Sequence, residues 1–248
     1  MQGLGSPEII LALDVDTLEK AEGFVDKLYP SIKSFKIGSQ LFTASGPDAI
    51  RMVEKKGGRV FLDLKFHDIP KTVHSSIISG SSVSISKDVG QAMSRPVFMM
   101  TVHTKGGQAM LEAAARGAEE AAKKLSITKP FIVGVTRLTS DDNSEDTLEE
   151  VLKAARLAKD SGLDGVVCSA LEAAEVRKAC GADFIIVTPG IRSNKEALND
   201  QKRTASVKQA AEAGSNFLVI GRPIIEADDP IKKTKELLGD LSRLTGCH

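Results

Sequence analysis

The chain is short of several things that specialised folds require. It has three cysteines in 248 residues, Cys168, Cys180 and Cys247. The number is odd and the spacing is not that of metal ligands, so reduced thiols in a reducing compartment are expected rather than a disulfide framework. Four histidines and no paired cysteines leave no recognisable metal site. No stretch approaches the roughly 20 apolar residues that a membrane span needs. The first residues, Met1 to Pro7, are glycine-rich and lack the charged-then-apolar build of a secretory signal. A cytoplasmic protein is the expectation. Neither sign of charge dominates, with 33 Lys+Arg against 33 Asp+Glu. No global field would draw nucleic acid or an anionic membrane, so neither is an expected partner. An anionic substrate must instead meet a local group of cations. No long Pro/Gly/Ser linker divides the sequence, and residues 1–248 read as one domain.

What is present is a regular alternation. Eight short apolar runs, β-branched or aromatic-rich, occur at Ile9–Leu13, Ser34–Ile37, Arg59–Leu64, Val97–Val102, Phe131–Val135, Gly165–Cys168, Phe184–Val187 and Phe217–Ile220. Their shortness favours strands buried on both faces. Amphipathic stretches follow them. Thr17 can cap a helix with Glu19 in its first turn and Ala21, Phe24, Val25 and Leu28 on its buried stripe. Met110–Leu125 places Leu111, Ala114, Ala118 and Ala122 on one face, and Thr147–Ala158 does the same with Leu148, Val151, Leu152 and Ala155. Asp229-Pro230 opens a last helix running through Leu238 and Leu241. Strict β-then-α order allows an open doubly wound sheet or a closed barrel, and eight units in this length point to a single (β/α)8 TIM barrel. Ser75–Ser86 fits least well. A helix is expected after Pro70, yet its serines are poor helix formers.

Barrel enzymes carry their reacting groups at the C-terminal ends of strands. There the sequence offers Asp14 and Asp16, Lys36, the run Asp63-Leu64-Lys65-Phe66-His67-Asp68-Ile69-Pro70, Thr136–Thr139, Thr188-Pro189-Gly190-Ile191-Arg192, and Gly221-Arg222-Pro223. Alternate strand residues share a face, so Asp63 and Lys65 both point into the barrel mouth, with Lys36 in reach from the neighbouring strand. Inward charges must compensate one another, either as a structural ion-pair ladder or as a working site. The loops after the last two strands each hold a glycine and an arginine, Gly190 with Arg192 and Gly221 with Arg222. Glycine admits backbone N–H groups to an anion and arginine offers a two-pronged fork, which is the pattern of a phosphate site. His67 reads as a packed, hydrogen-bonded histidine and His103 as a structural partner of a neighbouring loop. Asp14, Asp63 and Asp68 could in principle bind Mg²⁺, but Lys36 and Lys65 would put competing charge beside it.

The run Asp63–Thr72, DLKFHDIPKT, closely resembles the signature of the orotidine 5′-monophosphate decarboxylase family. LALD at Leu11–Asp14, Lys36-Ile37-Gly38, VTRLTS at Val135–Ser140, TPGIR at Thr188–Arg192, Gln201 and GRPI at Gly221–Ile224 match the family's pattern in order. The resemblance implies a cofactor-free carboxy-lyase that turns orotidine 5′-monophosphate into UMP. Lys65 would protonate C6 of the pyrimidine, flanked by Asp63 and Asp68, with Lys36 completing an alternating Lys-Asp-Lys-Asp network. Asp14 and Lys36 would contact the ribose and Thr139 the base. Gln201 would bridge base and phosphate, and Arg192, Gly221 and Arg222 would hold the phosphate, with Pro189 in the same substrate-binding set. Asp68 and Thr72 would reach the other subunit's site, which implies a homodimer. The chain departs from the pattern at Thr104-Lys105, where a small residue is common, and in its serine-rich helix after Lys71. Two other readings stay open. One is a Mg²⁺-dependent phosphosugar decarboxylase or aldolase of the same barrel superfamily, which would carry an acid where this chain has Lys36. The other is a nucleotide-binding protein that has lost turnover.

Overall fold

The eight apolar runs form the eight staves of a closed parallel barrel. The computed structural model describes residues 6–83, 97–138, 146–192 and 204–245. The strands are β1 (Glu8–Ala12), β2 (Ser34–Gly38), β3 (Arg59–Phe66), β4 (Val97–His103), β5 (Phe131–Val135), β6 (Gly165–Val167), β7 (Ile185–Thr188), the short pair β8 (Ile191–Arg192) and β9 (Ala205–Ser206), and β10 (Phe217–Ile220). Barrel order is β1-β2-β3-β4-β5-β6-β7-β10, closed by β10 against β1. Strand ends differ from the sequence reading by a residue or two. The pair β8–β9, which that reading did not include, lies outside the barrel in the loop region after β7.

Strand parity divides the apolar side chains into two layers. Ile10, Ala12, Phe61, Met99, Val133, Ile185, Val187, Phe217 and Val219 fill the barrel interior. Ile9, Leu11, Phe35, Ile37, Leu62, Met100, Ile132, Val166, Ile186 and Leu218 face the surrounding helices. Apolar residues on both faces of every strand explain why the runs read as continuous rather than alternating. At the barrel floor Arg59 bonds Ser34 (2.8 Å) and pairs with Glu8, and its guanidinium lies over the Phe98 ring at 4.4 Å. That covers the N-terminal end and leaves the opposite end open.

The helices largely follow their amphipathic patterns. Thr17 Oγ1 accepts from Lys20 N–H at 3.3 Å and caps helix Leu18–Leu28, and Asp229 accepts from Lys232 N–H at 3.0 Å ahead of helix Pro230–Thr245. Helix Gly107–Leu125 buries Ala121, leaving Ala122 half-buried. In helix Thr147–Asp160 Leu148 is 40% exposed, so the buried stripe is Val151, Ala155 and Ala158 instead. The serine-rich segment is helical over Pro70–Ser82. Ser76, Ser81 and Ser82 return their hydroxyls to the carbonyls of Thr72, Ile77 and Ser79. That local bonding satisfies the hydroxyls without favouring the helix, which is held instead by buried Val73 and Ile77 docking on the core. Ser84–Ser86 lie outside the described residues.

Candidate active site

The open end of the barrel holds a cavity lined by the ends of every barrel strand except β4. Its described lining includes Asp14 and Lys36, Asp63 and Lys65, Arg137 and Leu138, Pro189 through Arg192, and Gly221 through Pro223. Ala12, Phe61, Val135, Val167, Val187 and Val219 form its apolar floor. Candidates far apart in sequence thus converge on one space, because each follows the end of a parallel strand.

The charged half is built on β2 and β3, where Lys36 pairs with Phe61 and Gly38 with Asp63. Lys36 Nζ lies 2.8 Å from Asp14 Oδ1 and 3.7 Å from Asp63 Oδ2, and Lys65 Nζ lies 2.9 Å from the same Asp63 oxygen. Asp63 therefore sits between two ammonium groups. The side chains of Lys36 and Asp63 are only 11% and 12% exposed, whereas Lys65 is 38% exposed. The ammonium facing the cavity most openly is that of Lys65. Gly38 leaves room beside this pair: a methyl group there would lie 3.0 Å from Lys36 Nζ, displacing it slightly, and 3.5 Å from Asp14 Oδ1. On the other flank a methyl group on Gly221 would lie 3.3 Å from Ala12 Cβ and at ordinary contact distance, 3.5 Å, from Asp14 Oδ2.

Asp63 and Lys65 do converge, but not by simple strand alternation. Lys65 has a left-handed backbone (φ +50°), and the β3–β4 register is irregular between Leu62 and Phe66. The Lys65 N–H bonds the hydroxyl of Thr101 (2.8 Å), which also lies 3.0 Å from Asp63 Oδ1. Thr101 was not among the sequence candidates. Its signal is a polar residue within the otherwise apolar run of β4.

The arginine half lies across the cavity. Gly190 adopts φ +76°, a turn open mainly to glycine, and leads into β8 with Arg192. Gly221 and Arg222 follow β10 directly, so both Gly/Arg loops reach the same rim. Some candidates stand apart from the cavity, Asp16 among them, exposed and paired with Lys20 at 2.7 Å. Asp68 is exposed and its carboxylate accepts from Ile69 N–H at 2.6 Å, and Thr72 is exposed on helix Pro70–Ser82. Thr139 and Gln201 lie outside the described residues. His67 is exposed rather than packed, because the turn after β3 carries it outward, with its ring 5.6 Å from that of His103. His103 makes a local bond, its Nδ1 accepting from Lys105 N–H at 3.3 Å within the turn that follows β4. Among the described residues no group of three or more His, Cys, Asp or Glu is arranged to hold a metal ion. No helix among them is long and apolar enough to cross a membrane.

Comparison with known proteins agrees with this geometry. The sequence model of the orotidine 5′-phosphate decarboxylase / HUMPS family matches residues 7–237. The orotidine 5′-phosphate decarboxylase of Moorella thermoacetica is 42% identical over 243 residues, covering 94% of this chain and 92% of that protein. That of Vibrio cholerae is 41% identical over 246 residues, covering 96% of this chain and 100% of its own length. The crystal structure of the Lactobacillus acidophilus enzyme of the same name superposes with a TM-score of 0.78 at 34% identity, over 96% of this chain and 99% of that one. With its barrel, its strand-end charges and these relatives in agreement along nearly the whole sequence, the chain belongs to the orotidine 5′-phosphate decarboxylase / HUMPS family.

Proposed function

We propose that this chain decarboxylates orotidine 5′-monophosphate to UMP and CO₂, the last step of de novo pyrimidine nucleotide synthesis, as one domain spanning residues 1–248. The observation that carries the reading is the Lys36–Asp63–Lys65 row, with contacts of 3.7 and 2.9 Å, facing two Gly/Arg loops across one cavity. Loss of CO₂ from C6 leaves an electron pair in the ring plane, where no π system of the ring can absorb it. A fixed ammonium beside C6 stabilises that charge and can then donate the proton. Lys65 is assigned that role. Asp63 holds it in place, and Lys36 balances Asp63 while reaching toward Asp14 and the ribose. Arg192, Arg222 and Gly221 grip the phosphate, with Pro189 beside them, and remote binding energy of this kind can be used to assemble the reacting end. Thr139 and Gln201 are assigned to the base and to the base–phosphate bridge.

Asp68 and Thr72 complete the proposal as groups supplied to a second subunit. Both are exposed and neither lines the cavity of its own chain, which suits residues that serve a neighbouring site in a homodimer. A Mg²⁺-dependent phosphosugar reaction finds no support at the mouth. The space between Asp14 and Asp63, where a divalent ion would need to sit, is taken by Lys36 Nζ at 2.8 and 3.7 Å. The test is the ultraviolet absorbance of orotidine 5′-monophosphate mixed with the purified protein in EDTA. Loss of the orotate chromophore with matching UMP is expected. An unchanged spectrum with folded protein, followed by turnover of a sugar phosphate once Mg²⁺ is added, would transfer the chain to the phosphosugar branch.

A further inference from the structure

Lys65 and Ser126 are the described non-glycine residues with positive φ, at +50° and +52°. Ser126 ends helix Gly107–Leu125, where a left-handed residue is ordinary. Lys65 has no such excuse, since it lies within β3. Leu62 pairs with Met100, and pairing resumes only at Phe66 with Val102. Three residues of β3, Asp63, Leu64 and Lys65, therefore face the single residue Thr101. An arrangement of that kind costs backbone energy and persists only where its surroundings hold it.

What holds it is the Thr101 hydroxyl. Thr101 is fully buried, and its Oγ1 accepts the Lys65 N–H at 2.8 Å, replacing the lost ladder bond. A hydroxyl carries one proton. The amide takes a lone pair and a carboxylate can only accept, so that proton is directed at Asp63 Oδ1, 3.0 Å away. One carboxylate oxygen is then fixed by Thr101, and the other, Oδ2, is presented to Lys65 and Lys36 at 2.9 and 3.7 Å. Thr101 does not line the cavity. We propose that Thr101 is a positioning residue for the decarboxylation: a single hydroxyl fixes both the backbone turn that aims Lys65 and the orientation of the carboxylate that steadies it. The inference rests on the decarboxylase reading given above.

Thr101→Val keeps the branched shape and strand preference but removes the hydroxyl, while Thr101→Ser keeps the hydroxyl. For Thr101→Val, kcat is expected to fall by about 100-fold, the scale of a small misplacement of a reacting group. UMP affinity should stay near wild type, and Thr101→Ser should recover most of the rate. Thr101→Ala gives the same reading if the valine variant does not fold. Hydrogen exchange of the Lys65 amide, measured without substrate, should be slow in wild type and the serine variant and fast in the valine variant. Wild-type kcat in Thr101→Val, a serine variant as impaired as the valine one, or an unaltered Lys65 amide would each overturn the proposal. The exchange result stands whatever wild type turns over, so a failure of the decarboxylase reading is told apart from a failure of this one.

Discussion

Two buried carboxylates in this chain meet opposite fates. Asp63, 12% exposed, has two ammonium groups and a hydroxyl within 3.7 Å, so the hydration it loses is largely replaced. Glu54, 5% exposed on helix Asp48–Lys55, is not so favoured: burial pushes its carboxyl above the usual carboxylate range, and the charge of Arg51 draws it only partly back. A raised acid favours its protonated form in the folded state. The folded chain therefore binds the proton more tightly than the unfolded one, and stability falls as pH rises from the ordinary carboxylate range through the raised value. Above that range the charged Glu54 costs stability, and Glu54→Gln removes the cost. The glutamine variant is expected to melt above wild type at pH 7, with the gap narrowing by pH 4. Thermal melts of the two proteins at both pH values check this, and an equal gap at both would show that the charge of Glu54 is not the cause.

At the scale of elements, a tightly packed helix contact lies beside the strand-three turn. Helices Pro70–Ser82 and Gly107–Leu125 meet where Gly117 faces His74 and Ile77; a methyl group on Gly117 would lie 2.8 Å from the His74 carbonyl oxygen and 3.2 Å from Ile77 Cβ. Backbone cannot yield as a flexible side chain can. Gly117→Ala should therefore push the two helices apart and cost about 1–3 kcal/mol, the usual range for overpacking. Urea unfolding measures it, and a stability equal to wild type would mean the helices separate freely. Legibility in the sequence divides along the same line between local and distant causes. The eight strands could be read because each is a short run with apolar side chains on both faces, and the Gly/Arg loops because barrel geometry fixes where loops after the last strands must go. The left-handed turn at Lys65 could not be read, because its cause is a bond to Thr101, 36 residues away. The outward face of Leu148 and the exposure of His67 were hidden for a similar reason: neighbouring elements decide which side of a short segment is covered.

At the scale of the whole molecule, the question is whether one chain makes one complete site. Lys65 lines the cavity of its own chain, whereas Asp68 is exposed and does not. If Asp68 serves the partner's cavity, two separately inactive variants should rescue each other. Take Lys65→Ala in one subunit and Asp68→Ala in the other. In a mixed dimer, the first subunit's site has lost its own lysine and also receives no aspartate from its partner, so it is dead twice over. The second site keeps its own Lys65, receives an intact Asp68, and works. Equal amounts assorting at random make half the dimers mixed, so about a quarter of all sites should be active, rising to about half once the mixed dimers are isolated. Co-expression of the two variants with different tags, followed by purification of the doubly tagged species and assay on orotidine 5′-monophosphate, provides the measurement. Were Asp68 to act only within its own chain, each mixed dimer would hold one site lacking Lys65 and one lacking Asp68, and the mixture would stay as inactive as its parents.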